Sequence, residues 1–495
     1  MSGVTSGLVD ASKLARVPPA VWRALGARLR DLDLAGARQG ALRIGRGVPI
    51  ELRAPVRRRR LRASRDDIAT LLRLLCFEDA VPADDVVRAL GASITGALLD
   101  AEVLARHPKG VAAQLTLTPL DHLLLLGDPL RLGGDAVMAV GTTTIGLCRA
   151  AVPSSPVDRV LDVGCGAGAA ALCLARNARV AVGVDINPRA ALLARVNAAV
   201  NAVDNVELRV GDLFAPVAGE RFDLIVSQPP FVARPEGAPD ATYMHGGARG
   251  DELMVRMLRE LPAHLAGRAF VFGEWPRTDD RPVTALARDA IGTSELSLWS
   301  FEERDASPDE IAAAYAAAEH ATFDEAYATS ARRRREHFAR LGVGAITQAL
   351  LVVTSEEALA GATTARVPLS STRLTQLSGA RIEARLAADR LLAAGTAALL
   401  RARLRISPGV TVGAVWGAPG APPRYVLEHP TDPLVATTEV NAPTRDLVLA
   451  LDREPDVRTA MALVAARHRV PREQIVATLL PIVEGALRQG LLSVS

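Results

Sequence analysis

The sequence predicts an α/β fold: a seven-stranded, Rossmann-like doubly wound sheet with winged-helix-like units on its N- and C-terminal sides. Three observations carry that prediction. Between Pro156 and about Thr354, short apolar runs alternate with helical patterns, the signature of parallel βαβ units. A glycine-rich turn, LDVGCGAG over residues 161–168, joins the first of these runs to a helix. On both flanks the chain reads as three helices followed by a short extended segment, the order of a winged-helix unit.

Residues 1–62 form a helical lead-in, in which PPAVWRALGARLRDL has helical periodicity and the Arg-rich ELRAPVRRRRLRAS is expected to be extended. Residues 63–130 place DDIATLLRLLCF, PADDVVRALG and SITGALLDAEVLAR as helices and HPKGVAAQLTLTPL as a two-stranded wing. Residues 131–355 are the central domain. Its strands are RVLDVG, ARVAVGVDI, NVELRVGDL, FDLIVSQ, AFVFGEW, ELSLWSF and ITQALLVVT. A helical insertion at about 303–340, long enough to form a lid or a wall, separates the sixth strand from the seventh. Residues 356–443 read as an irregular, β-containing region, because Pro and Gly punctuate them. Residues 444–495 close the chain as a second winged-helix-like unit ending in GLL.

Hydrophobic residues make up 49% of the 495 and aromatics only 3%, so the core has to be built from Ala, Leu and Val. A net charge of +3 predicts neither strong phosphate attraction nor adhesion to a membrane surface. All but Lys13 and Lys109 of the 58 basic residues are arginine, a skew that reflects codon composition more than a nucleic-acid surface. The runs Arg57–Arg60 and Arg332–Arg335 read either as anion grips or as solvated faces. Cys76, Cys148, Cys165 and Cys173 have neither zinc spacing nor a secreted disulfide pattern, so no metal and a reducing compartment are expected. The start, MSGVTSGLVDASK, lacks a charged-then-apolar leader, and no run reaches about 18 apolar residues, so a soluble, cytoplasmic protein without a membrane partner is expected. Oligomeric state is not legible.

The chemistry concentrates at strand ends. Gly164, Gly166 and Gly168 occupy the first strand-to-helix turn, where glycine lets the backbone approach a ligand and adopt positive φ. Their spacing is G-x-G-x-G rather than the dinucleotide G-x-G-x-x-G, and acidic Asp162 precedes them, which suits a ligand with a cationic amino-acid end. Asp185 ends the second strand and can accept both hydroxyls of a ribose, with Asn187 and Pro188 as N-cap and first residue of the next helix. Asp212 ends the third strand, placed to meet an exocyclic amino group of adenine between Leu213 and Phe214. The fourth strand ends in SQPPFV, residues 227–232, whose prolines can donate no ladder hydrogen bond.

These residues resemble the class I AdoMet-dependent methyltransferases over about 200 residues. The resemblance implies S-adenosylmethionine as cofactor, with Asp162, Gly164, Cys165, Gly166 and Gly168 as the methionine-binding loop, Asp185 and Ile186 at the ribose, and Asp212 and Leu213 at the adenine. SQPPF falls where amino-methylating members carry Asn-Pro-Pro-Tyr or Asn-Pro-Pro-Phe. HGGARGDEL, residues 245–253, resembles the Gly-Gly-x-x-Gly-x-Glu stretch of protein glutamine N5-methyltransferases. The closer resemblance is to "methyltransferase small" proteins with extra N- and C-terminal domains.

On that resemblance Gln228, Pro229, Pro230 and Phe231 are catalytic. The prolines stiffen a loop whose carbonyls point at a substrate NH2 group, the preceding amide accepts its other hydrogen, and Phe231 packs on the flat substrate. Gln228 departs from the family's Asn: its carbonyl sits one methylene further out, about 1.3 Å, comparable to a misplacement that costs about a hundredfold in rate. Either the substrate is shifted or the target atom differs, as an amine, guanidine or oxygen. Tyr243 and His245 are acceptor contacts, a base, or structural; Trp275 walls the acceptor pocket or plugs the core; Cys165 packs. The acceptor is a protein or peptide amide or amine, or a nucleobase. Two alternatives stay open: a methyltransferase tailoring a small natural product at N or O, and an AdoMet-responsive regulator that binds nucleic acid. Against the regulator, neither SITGALLDAEVLAR nor REQIVATLLPIVEGALRQG is rich in basic residues.

Overall fold

The computed structural model describes residues 8–42, 50–129, 134–138, 140–238, 242–320, 322–355, 364–369, 374–416, 423–429 and 437–495; side chains of residues 42 and 50–54 fall outside this description. Of the central sheet, β1 is Val157–Val163, β2 Ala178–Asp185, β3 Val206–Val210, β4 Phe222–Ser227, β5 Leu265–Arg277, β6 Ser297–Glu302, β7 Ala345–Thr354 and β8 Thr364–Pro368. They lie in the order β8-β6-β7-β5-β4-β1-β2-β3. All seven expected strands are present, and β8 adds an eighth beside β6.

Strands β1 to β5 run parallel, whereas β7 is antiparallel to both β5 and β6. Helices cover both faces, which is why the central strands are continuous apolar runs rather than alternating ones. On one face Leu147, Leu172, Phe270, Phe272 and Trp299 share a core with Ile382 and Leu386 of helix Gly379–Ala393. On the other face Leu161, Val163, Val182 and Val271 pack on Met254, Met257, Leu258 and Leu261 of helix Glu252–His264. Complete burial of each such side chain stabilises the fold by roughly 1.5–3 kcal/mol.

The lead-in differs from its sequence reading at one place. Residues Ile50–Ala63 form a helix, not an extended segment, with Pro55 inside it. Residues 1–7 and 43–49 of the expected lead-in lie outside the described residues. Next come helices Asp67–Leu71, continued as a π-helical turn to Cys76, Ala83–Leu90 and Ala92–Asp100, and then two antiparallel hairpins, Leu104–His107 with Gly110–Ala113 and Thr116–Leu120 with Leu123–Gly127.

This N-terminal layer is locked to helix Pro188–Asn201 of the central domain. Trp22, Leu25 and Leu29 share a core with Leu193, Val196 and Val200. Asn197 and Asn201, one turn apart, act as a surrogate strand: their Oδ1 atoms accept from the N–H groups of Leu126 (2.7 Å) and Leu124 (2.8 Å), and their Nδ2 groups donate back to the same residues' carbonyls. Buried Arg189 meets buried Asp128 through Nε (2.8 Å) and a second nitrogen (2.5 Å), and donates also to the Val9 carbonyl (2.6 Å).

The expected insertion is a helical hairpin, Pro308–Glu319 and Glu325–Arg340, between β6 and β7. A capping box at Ser307 and Glu310 starts it, and the Asp324 carboxylate caps its second helix. Beyond β7 the region expected to be irregular also contains helices Gly379–Ala393 and Thr396–Arg401 and the strands Leu404–Ile406, Thr411–Val415, Arg424–Glu428 and Thr438–Val440. Helices Ala442–Leu451, Val457–His468 and Arg472–Gln489 follow, and the terminal strand Leu492–Val494 pairs antiparallel with Leu404–Ile406. The C-terminal core therefore begins near Ala388 instead of at 444, because Ala388, Leu399 and Leu404 are needed to close it. No helix among the described residues is long and apolar enough to cross a membrane.

Candidate active site

A cavity of about 440 Å³ opens at the ends of β1, β2 and β4. Of the residues singled out in the sequence it brings together Asp162, Gly164, Cys165, Gly166, Asp185, Ile186, Asp212, Leu213, Gln228, Pro229, Pro230, Tyr243 and His245. Strand polarity explains the convergence: parallel strands deliver their C-terminal tips, and the turns after them, to a single sheet edge.

The turn after β1 is built around two carboxylates. Gly164, Gly166 and Gly168 have φ of 74°, 51° and 85°, a region that penalises side chains. A Cβ at Gly164 or Gly166 would meet nothing within 4 Å, so both leave open space along the cavity. Asp185 holds the turn from the next strand: one oxygen accepts from the Gly166 N–H (2.8 Å) and the other from the Asn187 N–H (2.9 Å). Burial raises the Asp185 pKa against those two hydrogen bonds. Asp162 is fully enclosed and accepts from the Ala171 N–H (2.9 Å); burial, reinforced by the charge of Asp185, pushes it up to about 7. Cys165 packs on Gly183, and burial keeps its thiol protonated.

Gly168 does not line the cavity. It starts helix Ala169–Leu174, and a Cβ there would lie 2.9 Å from that of Ala194, so the position serves helix packing. Phe214, expected beside an adenine ring, turns inward and stacks on His264 at 4.5 Å, in the apolar core it shares with residues of β1, β2 and β4. Asp212 stays half-exposed and is ion-paired with Arg256.

After β4 the chain passes through Gln228, Pro229 and Pro230. The Gln228 amide nitrogen donates to Thr143 Oγ1 at 2.8 Å, while its buried Oε1 has no hydrogen-bond partner among the described residues. Phe231 turns away from the cavity and meets Phe272 edge-on at 5.7 Å, so the expected stacking surface is absent there. Trp275 is 1% exposed within the core behind the sheet and does not wall the pocket.

The HGGARGDEL stretch braces this loop. Val232 donates to the Met244 carbonyl (3.0 Å) and Arg234 to that of Gly247 (2.9 Å). A Cβ at Gly246 would collide with the Pro230 carbonyl, and one at Gly250 with that of Phe231, so only glycine lets the two backbones touch. Glu252 closes the turn, its carboxylate accepting from the N–H groups of Arg249 (2.8 Å) and Gly250 (2.9 Å). The insertion supports both loops from outside: Arg333 donates to the Gly237 carbonyl (2.7 Å) and His337 bonds that of Ala248 (2.6 Å). Among its described residues none lines the cavity; they brace the loops that do.

Several lining residues went unnoticed in the sequence: Val137, Met138, Val140, Thr144 and Leu147 ahead of β1, then Arg234 and Leu253; Asn187, read as an N-cap, lines the cavity as well. The available signal was the helical stretch Thr142–Ala151, which enters β1 within a few residues.

Strand order, glycine turn and acid-tipped strands define a class I AdoMet-dependent methyltransferase. A family profile described as Methyltransferase small domain matches residues 147–243, and a Domain of unknown function (DUF7059) matches residues 44–114. A release factor glutamine methyltransferase of Cereibacter sphaeroides is 32% identical over 216 residues, which are 40% of this chain and 76% of that protein. A protein N5-glutamine methyltransferase of Methanocaldococcus jannaschii is 39% identical over 111 residues, 21% of this chain and 55% of that one. A ribosomal protein uL3 glutamine methyltransferase of Xanthomonas campestris is 37% identical over 120 residues, 22% and 39% of the two chains. The chain thus spans between two fifths and three quarters of these relatives. It belongs to the protein glutamine N5-methyltransferase-like group of class I methyltransferases, whose cofactor is S-adenosylmethionine.

Proposed function

We propose that this enzyme methylates the side-chain amide nitrogen of a glutamine in a protein of the translation apparatus. One observation carries the reading: Gln228 lines the cavity beside Pro229, and its buried Oε1 has no hydrogen-bond partner among the described residues, while Thr143 occupies the other end of the same amide. A buried acceptor without a donor costs about 1–3 kcal/mol, a deficit that a substrate N–H removes. The Pro229 carbonyl takes the second hydrogen of that amide. The relatives' named acceptors, a release factor and a ribosomal protein, support a protein substrate and a cytoplasmic location.

Bound AdoMet supplies an electrophilic methyl group on a sulfonium. In our reading Asp162 faces its ammonium, the open edge of Gly164 and Gly166 its methionine chain, Asp185 and Ile186 its ribose, and Leu213 with the Asp212 turn its adenine. Gln228 Oε1 and the Pro229 carbonyl would orient the acceptor nitrogen toward the methyl group that bound AdoMet would supply, so the chain's own part in catalysis is positioning. Tyr243 and His245 contact the acceptor backbone. The flanking units, each three helices followed by extended chain, we take as winged-helix-like surfaces that hold the substrate protein.

The test is transfer from deuteriomethyl-AdoMet to the proteome of a strain lacking the gene. Mass spectrometry is expected to find label on a glutamine side chain of one or a few proteins. Label confined to RNA or to small molecules contradicts the reading.

A further inference from the structure

The helix Ile50–Ala63 carries a charge arrangement that the methyltransferase site does not use. From Arg57 to Arg65 the chain holds six arginines and no acid. Arg58, Arg59 and Arg62 fall on one helical face, where with Pro55 they line an open groove. Among the described side chains, the aspartates that follow this helix are already engaged. Asp79 alone serves Arg58 (3.9 Å), Arg62 (3.3 Å) and Arg73 (3.9 Å), Asp66 caps the next helix, and Asp67 meets Arg28 (2.9 Å) and Arg88 (3.1 Å). Among the described residues no carboxylate pairs with Arg57, Arg59 or Arg60. Arg57 lies over the Phe77 ring, and burial together with the charges of Arg38 and Arg58 lowers its pKa. Such crowding of like charge is unfavourable unless an anion with many charges relieves it.

We propose that this face binds the phosphate backbone of a nucleic acid, independently of base sequence. Guanidinium forks match phosphate oxygens, and successive arginines along a helix meet the repeated charges of a single strand. A membrane surface fits poorly, because a surface-lying helix needs a broad apolar face, whereas the only apolar side chains from Val56 to Arg62 are Val56 and Leu61, both half-buried already. The inference stands apart from the glutamine reading.

The experiment uses the full chain and fluorescent 20-nucleotide RNA and DNA of mixed sequence, single-stranded and duplex, at about 50–300 mM salt. Binding is expected at 50 mM, with a log–log salt slope of about −2 to −4, the release expected for three to five phosphates on a single strand. The RNA and DNA arms decide which backbone is preferred. Arg59→Glu/Arg60→Glu alters only unpaired, exposed groups; it should weaken binding at least tenfold while AdoMet affinity and Tm stay unchanged, and Arg59→Lys/Arg60→Lys should retain most of it. Absence of binding at 50 mM, equal affinity of the glutamate variant, or binding to phosphatidylserine vesicles without binding to nucleic acid overturns the proposal. AdoMet titration of the same samples keeps that failure distinct from a failure of the methyltransferase reading.

Discussion

Thr143 Oγ1 receives the Gln228 amide nitrogen at 2.8 Å, so a residue ahead of the first sheet strand sets the orientation of the amide after the fourth. The link offsets the extra methylene of glutamine: with its NH2 group tied to helix Thr142–Ala151, the carbonyl end is left for the acceptor. Thr143→Val should therefore lower kcat about tenfold, the value of one oriented hydrogen bond, with AdoMet affinity unchanged. Thr143→Ser should restore turnover. A kcat unmoved by Thr143→Val assigns the bond to structure alone.

Glycine at 246 and 250 is a steric requirement. Gly246→Ala pushes a methyl group into the Pro230 carbonyl and should displace the diproline turn by a fraction of an ångström to 1 Å. Displacements of that size cost up to about a hundredfold in kcat/KM. Calorimetry should find cofactor affinity within about twofold of wild type, because the Gly164–Gly166 turn is untouched.

Cofactor affinity should depend on pH through Asp162, whose carboxyl is pushed up to about 7. Below that value the carboxyl is increasingly neutral and attracts an ammonium less, so affinity falls as pH falls, approaching tenfold per unit well below the pKa. Binding near neutral pH releases a proton, which calorimetry in buffers of different ionisation enthalpy detects. Asp162→Asn should bind weakly with a flat profile from about pH 5.5 to 7. A wild-type profile equally flat would remove the carboxyl from the cofactor's amino-acid end.

The N-terminal layer is held to the central domain by a pair that removal of one partner should expose. Asp128→Ala leaves Arg189, 7% exposed, without its carboxylate. Loss of one partner of a buried ion pair costs about 3–5 kcal/mol. Urea unfolding should show that loss. Because Arg189 lies two residues beyond Asn187, which lines the cavity, AdoMet affinity should fall with it.

Most of the sheet was legible because parallel strands covered on both faces are written as continuous apolar runs, and seven were read in register with the structure. Strand β8 escaped because it is a short edge strand with a single buried residue, Val367. The helix at 50–63 was misread as extended because Pro55 and a charge run hide any apolar period. Asp185, Asn187 and the diproline turn were legible from their position at strand tips. Thr143, Asn197 and the Asp128–Arg189 pair were not, since each works through a partner 61 to 85 residues away. Phe231 was placed on the substrate by residue type, but it turns onto Phe272 at the sheet; of the two readings given for Trp275, the core position is the one it takes.

Replacement of Gln228 by alanine, read on two assays at once, bears most directly on the acceptor site. AdoMet binding by calorimetry should match wild type within about twofold, while deuteriomethyl transfer to glutamine in the deletion-strain proteome should drop by about a hundredfold or more, as for loss of one preorganised catalytic group. Transfer at the wild-type rate would contradict the account, because the acceptor amide would then be held somewhere other than the turn after β4.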